Sequence, residues 1–176
     1  TLAIASVLMM VAAPSFVGFQ RNSEMTSVTN SLLAATSAAR AEAMKTGMNA
    51  LVVANGDGSS WSAGWTVFVD RDRDNAYSAT ADTTVRVQAA TPSYITDTGH
   101  NNAALTPAYT MFDSSGFAKS YGTSPGVPNL TLSIVRNDVP SAQAAAETRR
   151  LVVGRSGRVR SCRPSTDSSC TSSASN

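Results

Sequence analysis

The first twenty residues constrain the fold of this chain more than any other segment. They read TLAIASVLMMVAAPSFVGFQ, and no charged side chain occurs before Arg21. Residues 2–13 are apolar except for Ser6, so a helix formed there is apolar on every face. Such a helix at the start of a chain is typical of a membrane or assembly segment, although a complete span needs about 20 apolar residues. We expect a hydrophobic helix that begins before residue 1; the alternatives are a buried core helix and an ordinary signal anchor.

The next segment keeps the helical period but becomes one-sided. Apolar residues recur every three or four positions, which predicts one buried stripe. Pro14 can bend a helix without ending it, and Gly47 is a natural stop. We predict one helix from residue 1 to about residue 46, in which 1–20 is the transmembrane or filament-core part and 21–47 is amphipathic. The stripe consists of Met25, Val28, Leu32, Ala35, Ala39 and Ala43.

The remainder, residues 48–176, is predicted to form a β-rich head. Short runs alternate between apolar and polar positions, and Gly, Pro, Asn and Ser separate them. One long helix followed by such runs gives an α+β fold with antiparallel sheet structure. Residues 139–148 form a short helix or a loop, and the Ser/Thr-rich tail beyond Cys170 is expected to be mobile. The predicted strands are 49–54, 64–70, 84–89, 109–112, 117–121, 130–136, 149–153 and 158–162.

The two cysteines, Cys162 and Cys170, indicate a disulfide that closes a short loop near the C-terminus. Neither belongs to a Cys-x-x-Cys pair, and one histidine, His100, is too few to complete a zinc site with them. A redox or metal-binding pair is the alternative. A structural disulfide implies an oxidising compartment such as a periplasm or the cell exterior.

The net charge of +2 hides an uneven distribution of charge along the chain. Residues 149–163 contain six arginines and no acid, which leaves the remainder with a net charge of −4. A mildly acidic body with one basic segment points to an anionic partner. The six are Arg149, Arg150, Arg155, Arg158, Arg160 and Arg163.

These arginines lie on a predicted β-hairpin whose turn is formed by residues 154–157. Arg158 and Arg160 are two apart on a strand, so we expect them to project from one face about 6.6 Å apart. The turn glycines, including Gly157, are expected to expose amides, and guanidinium groups bind phosphate oxygens bidentately. Because the segment contains no aromatic residue, the sequence predicts binding to the DNA backbone without base stacking. A solvated edge strand that charge protects from aggregation is the alternative.

Two other groups of residues resemble functional sites only in part. His100 lies in a Gly-Asn-rich loop without a catalytic motif around it, so we expect a surface histidine and no enzyme. Asp70, Asp72 and Asp74 have the spacing of the first ligands of a calcium loop, but the sixth position is Asn75 and the twelfth is alanine. We expect a solvated hairpin end there, with no metal and no other cofactor.

The order of these segments resembles the type IV pilin-like proteins, in particular the minor pilins and pseudopilins of the GspH/FimT type. The similar motifs are TLAIASVLMMVAAPSF at the start, SAARAEAMKTG at 37–47, and GWTVFVDRDRDN at 64–75 with VRV at 85–87. GRSGRVRSC at 154–162 resembles the GRxR signature of the DNA-binding FimT pilins. The family's Phe-Thr-Leu-Ile-Glu-Leu signature would end just before residue 1, so we expect a truncated start and assign its glutamate to no residue here.

This resemblance implies a type IV pilin fold, in which a long N-terminal helix packs on antiparallel sheets. It implies a minor pilin that the helix anchors in the bacterial inner membrane, with the head in the periplasm. The protein then assembles with other major and minor pilins in a filament or at its tip on the cell surface. The alternative is a structural minor pilin for tip assembly, or a pseudopilin of type II secretion, that does not bind DNA.

The GRxR resemblance implies capture of extracellular double-stranded DNA in natural transformation. About four to six phosphate contacts would give a slope of about −4 to −5 for log affinity against log salt. The residues assigned to DNA are Arg155, Gly157, Arg158, Arg160 and Arg163, with Arg149 and Arg150 as further candidates.

Overall fold

The fold begins with one long helix, α1, at Leu2–Thr46. The computed structural model describes residues 2–121 and 128–174, with side chains from residue 16 onward. The 45 residues of α1 extend over about 67 Å, which confirms the predicted single helix. The side-chain packing predicted for the hydrophobic start lies outside the described residues. Within the part of the chain that the structure describes, no helix is long and apolar enough to cross a membrane.

The predicted apolar stripe is the side of α1 that packs against the head. Val28 is half-buried, and the hydroxyls of Thr29 and Thr36 complete the stripe by donating to backbone carbonyls of the helix at 2.8 Å. Small side chains along much of this face let the sheets approach the helix closely. The fully buried members of the stripe are Met25, Leu32, Ala35, Ala39 and Ala43.

Two antiparallel sheets form the rest of the described fold. The first has the strand order β3-β2-β1-β5-β6, and the second has the order β4-β7-β8-β9. β9 is therefore an edge strand, and it lies beside α1. The strands are β1 Ala50–Ala54, β2 Trp65–Val69, β3 Thr83–Gln88, β4 Ile95–His100, β5 Tyr109–Phe112, β6 Ala118–Lys119, β7 Leu130–Arg136, β8 Thr148–Val153 and β9 Val159–Cys162.

One hydrophobic core joins the helix to both sheets. Trp65 and Phe112 of the first sheet and Leu132 and Leu151 of the second belong to the same buried cluster as the α1 stripe. A smaller buried cluster around Phe68 lies on the opposite face of the first sheet. The head is therefore a helix packed on two sheets, as the α+β prediction requires.

All eight predicted strands are present with ends shifted by at most two residues, but a ninth, β4, was not predicted. Ile95 is the only strongly apolar residue of the run ITDTGH, so the sequence lacks the alternation of apolar and polar residues that marks a strand. Pairing with β7 along its whole length holds it in the sheet. His100 is the exposed last residue of β4, so its placement in a loop was wrong. The segment 139–148 contains one short 3₁₀ turn at Ser141–Gln143.

Charged side chains connect α1 to the second sheet, and one of them, Arg136, donates from Nη1 to the Gly18 carbonyl of α1 at 3.3 Å. Arg136 donates through Nε and Nη2 to the two carboxylate oxygens of Asp138, each at 2.9 Å, and through Nη1 to Glu147 at 3.3 Å. Arg21 of α1 forms a second ion pair with Asp138. The hydrogen bonds from Arg136, reinforced by Arg21, hold the pKa of the Asp138 carboxyl well below its usual range. Arg136 therefore stabilises the junction of helix and head.

Candidate nucleic-acid interface

The predicted hairpin is present and consists of β8, a tight turn and β9. The Gly154 amide donates to the Arg158 carbonyl at 2.9 Å, and the Gly157 amide donates to the Gly154 carbonyl at 2.9 Å. The expectation that these two amides are exposed for phosphate is therefore wrong, because the turn itself uses them. The Arg155 carbonyl accepts from the Ala118 amide at 3.1 Å, which links the turn to β6 of the first sheet.

Gly157 has a structural reason to be glycine. Its φ is +76°, and a Cβ built there would lie 1.8 Å from the carbonyl oxygen of Gly116. Arg40 of α1 donates from Nε to the same Gly116 carbonyl at 2.9 Å and from Nη2 to the Ser156 carbonyl at 3.5 Å. Helix, first sheet and hairpin turn thus meet at one point, which holds the turn in a fixed position.

Two of the six arginines form hydrogen bonds within the second sheet and its surroundings. Arg149 is buried and donates to the carbonyls of Ala146 and Thr148 and to Asn22 of α1. Its direction follows from strand alternation, since residues 151 and 153 of β8 also face the helix. Arg150 is half-buried on the opposite face and donates to Ser133 and to the Cys170 carbonyl. Arg149 is therefore not an exposed member of the hairpin surface, and only the groove between α1 and β9 reaches it.

Arg160 is half-buried and forms an ion pair with Asp167 at 3.3 Å. Hydrogen bonds from Ser169 and the charge of Arg160 lower the pKa of the Asp167 carboxyl, so Asp167 is charged at neutral pH. β9 begins at Val159, so Arg158 lies just before the strand. Strand alternation therefore gives no reason to place Arg158 and Arg160 on the same face, which the sequence led us to expect.

Three of the six arginines in residues 149–163 are exposed, and we call them the arginine edge: Arg155, Arg158 and Arg163. Arg155 lies on the hairpin turn, while Arg158 and Arg163 flank β9 at its two ends. At about 3.3 Å per residue, five residues of extended chain separate the last two by about 16 Å. Grooves between α1 and the hairpin strand lie beside both, one lined by Arg40 and Arg158 and the other by Arg163.

The C-terminal tail is docked on the second sheet. The predicted disulfide between Cys162 and Cys170 is confirmed, with the two Cα atoms 5.9 Å apart. Beyond it, Thr131 of β7 donates to the Ala174 carbonyl at 2.7 Å, and both groups are buried. The expectation of a mobile tail beyond Cys170 is therefore wrong as far as residue 174.

Sequence reasoning missed two residues that shape this edge. Arg40 lies in the predicted helix and gives no sign of its contact with the hairpin turn. Asp167 lies four residues beyond the arginine segment, so the count of charges excluded it. The position of Asp167 inside the loop closed by the disulfide could have indicated its contact with Arg160, because the disulfide brings that loop back to β9.

The three carboxylates of Asp70, Asp72 and Asp74 come together after β2. Their oxygens lie within 4.8 Å of one another, a spacing that could hold a metal ion. Asp70 is buried, and its two oxygens accept the amides of Arg73 at 2.8 Å and Asn75 at 3.2 Å. Burial raises the pKa of the Asp70 carboxyl. The prediction of a fully solvated hairpin end is wrong for Asp70, which organises the turn.

Comparison with known proteins identifies both a family and a fold. Residues 28–157, well over half of the chain, match the family described as Type II transport protein GspH. No curated protein matches the chain.

Two solved structures share the architecture of helix and sheets. FimU, a type IV minor pilin of Pseudomonas aeruginosa, is 19% identical, with a TM-score of 0.58 over 85% of this chain and 95% of its own. EpsH, a minor pseudopilin of the Type 2 Secretion System of Vibrio cholerae, is 15% identical, with a TM-score of 0.52 over 80% of this chain and 98% of its own. At these identities the likeness is one of fold, and it confirms the predicted type IV pilin fold.

Proposed function

Because this chain belongs to the GspH family, we propose that it is a minor pilin or pseudopilin whose head binds double-stranded DNA along the arginine edge. The proposed task is the capture of extracellular DNA for uptake in natural transformation. The observation that supports DNA binding is the exposure of three arginines along one sheet edge beside α1.

The chemistry of the arginine edge suits the phosphate backbone. Guanidinium groups bind phosphate oxygens in a bidentate manner and stay charged at any pH the cell meets. The 16 Å estimated between Arg158 and Arg163 corresponds to about five base-pair steps along the axis of a duplex, at about 3.4 Å each. Such contacts position a duplex without reading its sequence.

The proposed assembly with other pilins depends on α1 and not on DNA. Phe16 and Phe19 of α1 are 68% and 73% exposed, and these rings lie within the segment 1–20 that is predicted to enter the membrane or the filament core. Large exposed apolar side chains on one element mark a surface for protein or lipid. We place the protein in the inner membrane before assembly, with the head in the oxidising periplasm, and in a filament or its tip afterwards.

A second candidate function uses the same assembly surface without DNA. The burial of Arg149 and the ion pair of Arg160 favour it, because both arginines have structural partners. In that case the protein is a pseudopilin of type II secretion or a tip-assembly pilin, and the arginine edge contacts an acidic protein surface.

The test is a titration of the full chain in detergent micelles with fluorescent duplexes of equal length and unrelated sequence. We expect affinities that agree within about threefold, since phosphate contacts carry no sequence information. A lack of binding at low salt would favour the second candidate, and a clear preference for one duplex would contradict backbone recognition.

Replacing Asp167 by asparagine is expected to raise the affinity for duplex DNA about fivefold. Asp167 competes with phosphate for Arg160, so the substitution removes that competitor and also one negative charge near the edge. The measurement is the dissociation constant by fluorescence anisotropy at fixed salt.

The matched control is Asp57→Asn. Asp57 accepts the amide and the hydroxyl of Ser59 at 2.9 and 2.7 Å, as Asp167 accepts those of Ser169 at 2.9 and 2.6 Å. The control removes the same charge from the same kind of turn, and we expect a change below about twofold. Equal gains in both variants would show that Asp167 does not restrain Arg160.

A further inference from the structure

Two arginines of the second sheet are equally buried, but only one of them is paired with carboxylates. Arg136 and Arg149 each retain 6% of their exposure. Arg136 faces two carboxylates, those of Asp138 and Glu147. Arg149 donates to neutral oxygens, two at 3.0 Å from backbone carbonyls and one at 2.8 Å from Asn22 Oδ1. Among the described residues, no carboxylate forms an ion pair with it.

A buried cation without an anion is energetically unfavourable. Neutral hydrogen bonds replace part of the hydration of Arg149, but they supply no negative charge. Burial lowers the pKa of Arg149, the positive charge of Arg163 lowers it further, and the negative charge of Glu147 acts in the opposite direction. Glu147 is already paired with Arg136, so the surroundings of Arg149 remain electropositive.

Arg149 and Arg163 line one groove between α1 and β9. Its volume is about 260 Å³, which is enough for a small ion and its hydration. The side chains of Asn30 and Ser161 are exposed there and add an amide and a hydroxyl donor. No acidic residue is among the described residues that line this groove.

We propose that this groove is an anion site that binds a phosphate group between Arg149 and Arg163. A tetrahedral phosphate presents oxygens in more than one plane, so two guanidinium groups on opposite sides can bind it at once. A bound phosphate supplies the charge that Arg149 lacks.

The source of the phosphate is either free inorganic phosphate or the backbone of DNA. The second source rests on the proposed function, because Arg163 belongs both to this groove and to the arginine edge. A backbone phosphate in the groove would fix one end of the bound strand, about 16 Å from Arg158 at the other end of β9. The hairpin turn and the groove would then hold the same DNA strand at two separate points.

The test observes arginine Nε–H resonances by NMR in the ¹⁵N-labelled full chain in detergent micelles. Inorganic phosphate is titrated while sodium chloride keeps the ionic strength constant, and sodium acetate is titrated in a parallel series. We expect saturable shifts for Arg149 and Arg163 with phosphate, weaker shifts with acetate, and no shift for Arg136.

Two variants show whether the binding is local. Arg163→Gln is expected to weaken phosphate binding about tenfold, the effect of one charge-assisted hydrogen-bonding partner. Arg155→Gln removes the same charge at the hairpin turn and should change it by less than about twofold. Arg149 is left intact, because its bonds to α1 make any replacement a test of folding.

The outcomes separate this inference from the proposed function. Saturable phosphate binding in a protein that does not bind duplex DNA would support the groove and contradict DNA capture. Non-saturable shifts, equal losses in the two variants, or acetate binding as tight as phosphate would overturn the phosphate site. In the last case the groove would take a carboxylate of a partner protein.

Discussion

Replacing Arg155, Arg158 and Arg163 together by glutamine is expected to lower the affinity for duplex DNA about 100-fold. Each exposed guanidinium contributes about 1 kcal/mol, because solvent screens its ion pair with phosphate, and about 1.4 kcal/mol corresponds to a factor of ten. The three side chains are exposed, so their loss should leave the fold unchanged. The measurement is the dissociation constant of the full chain for a fluorescent duplex at low salt.

The control for this variant removes the same charge from another surface. Arg71, Arg73 and Arg86 are exposed on or next to the first sheet, away from the hairpin. Their joint replacement by glutamine changes the net charge by the same amount as the first variant. Because only the long-range attraction to DNA is weakened, the affinity for the duplex should fall by about threefold. If both triple variants lost the same affinity, binding would follow net charge, and the arginine edge would have no special role.

Replacing Gly157 by alanine is expected to lower the free energy of unfolding of the head by about 3 kcal/mol. The new Cβ would overlap the Gly116 carbonyl, and an L-residue at a φ of +76° costs about 1–2 kcal/mol in addition. The overlap is with backbone, so no side-chain rotation relieves it. Trp61 and Trp65 are buried, so their fluorescence during denaturant titration reports the unfolding of the head.

Gly47 provides the control for the backbone strain alone. It has a φ of +70°, and nothing lies within 4 Å of a Cβ built there. Gly47→Ala should therefore cost only about 1–2 kcal/mol. Equal losses for the two alanine variants would show that the contact of Gly157 with Gly116 does not hold the turn in place.

Most of the fold was predictable because it is encoded locally. The stripe from Met25 to Ala43 gives the long helix and its buried face, and Gly47 marks its end. Alternation and turn residues give eight of the nine strands in residues 2–121 and 128–174. β4 was not predicted because Ile95 is its only strongly apolar residue, and its place in the sheet comes from pairing with β7.

The candidate site was only partly predictable because it depends on which strand face meets the helix. Alternation in β8 already contained the signal for Arg149, since Leu151 and Val153 two and four residues later are apolar and face α1. The partner of Arg160 could not be predicted, because Asp167 reaches it only through the path of the disulfide loop. Of the six arginines that are clustered in the sequence, only three are therefore exposed in the structure.

The salt dependence of DNA binding tests the central claim most directly. Three phosphate contacts predict a slope of about −3 for log affinity against log salt, less steep than the sequence alone suggested, because each contact contributes about −0.9. The experiment measures this slope for the full chain and for the variant that lacks Arg155, Arg158 and Arg163. The account predicts about −3 for the first and a slope near zero for the second; the same slope for both proteins would contradict it.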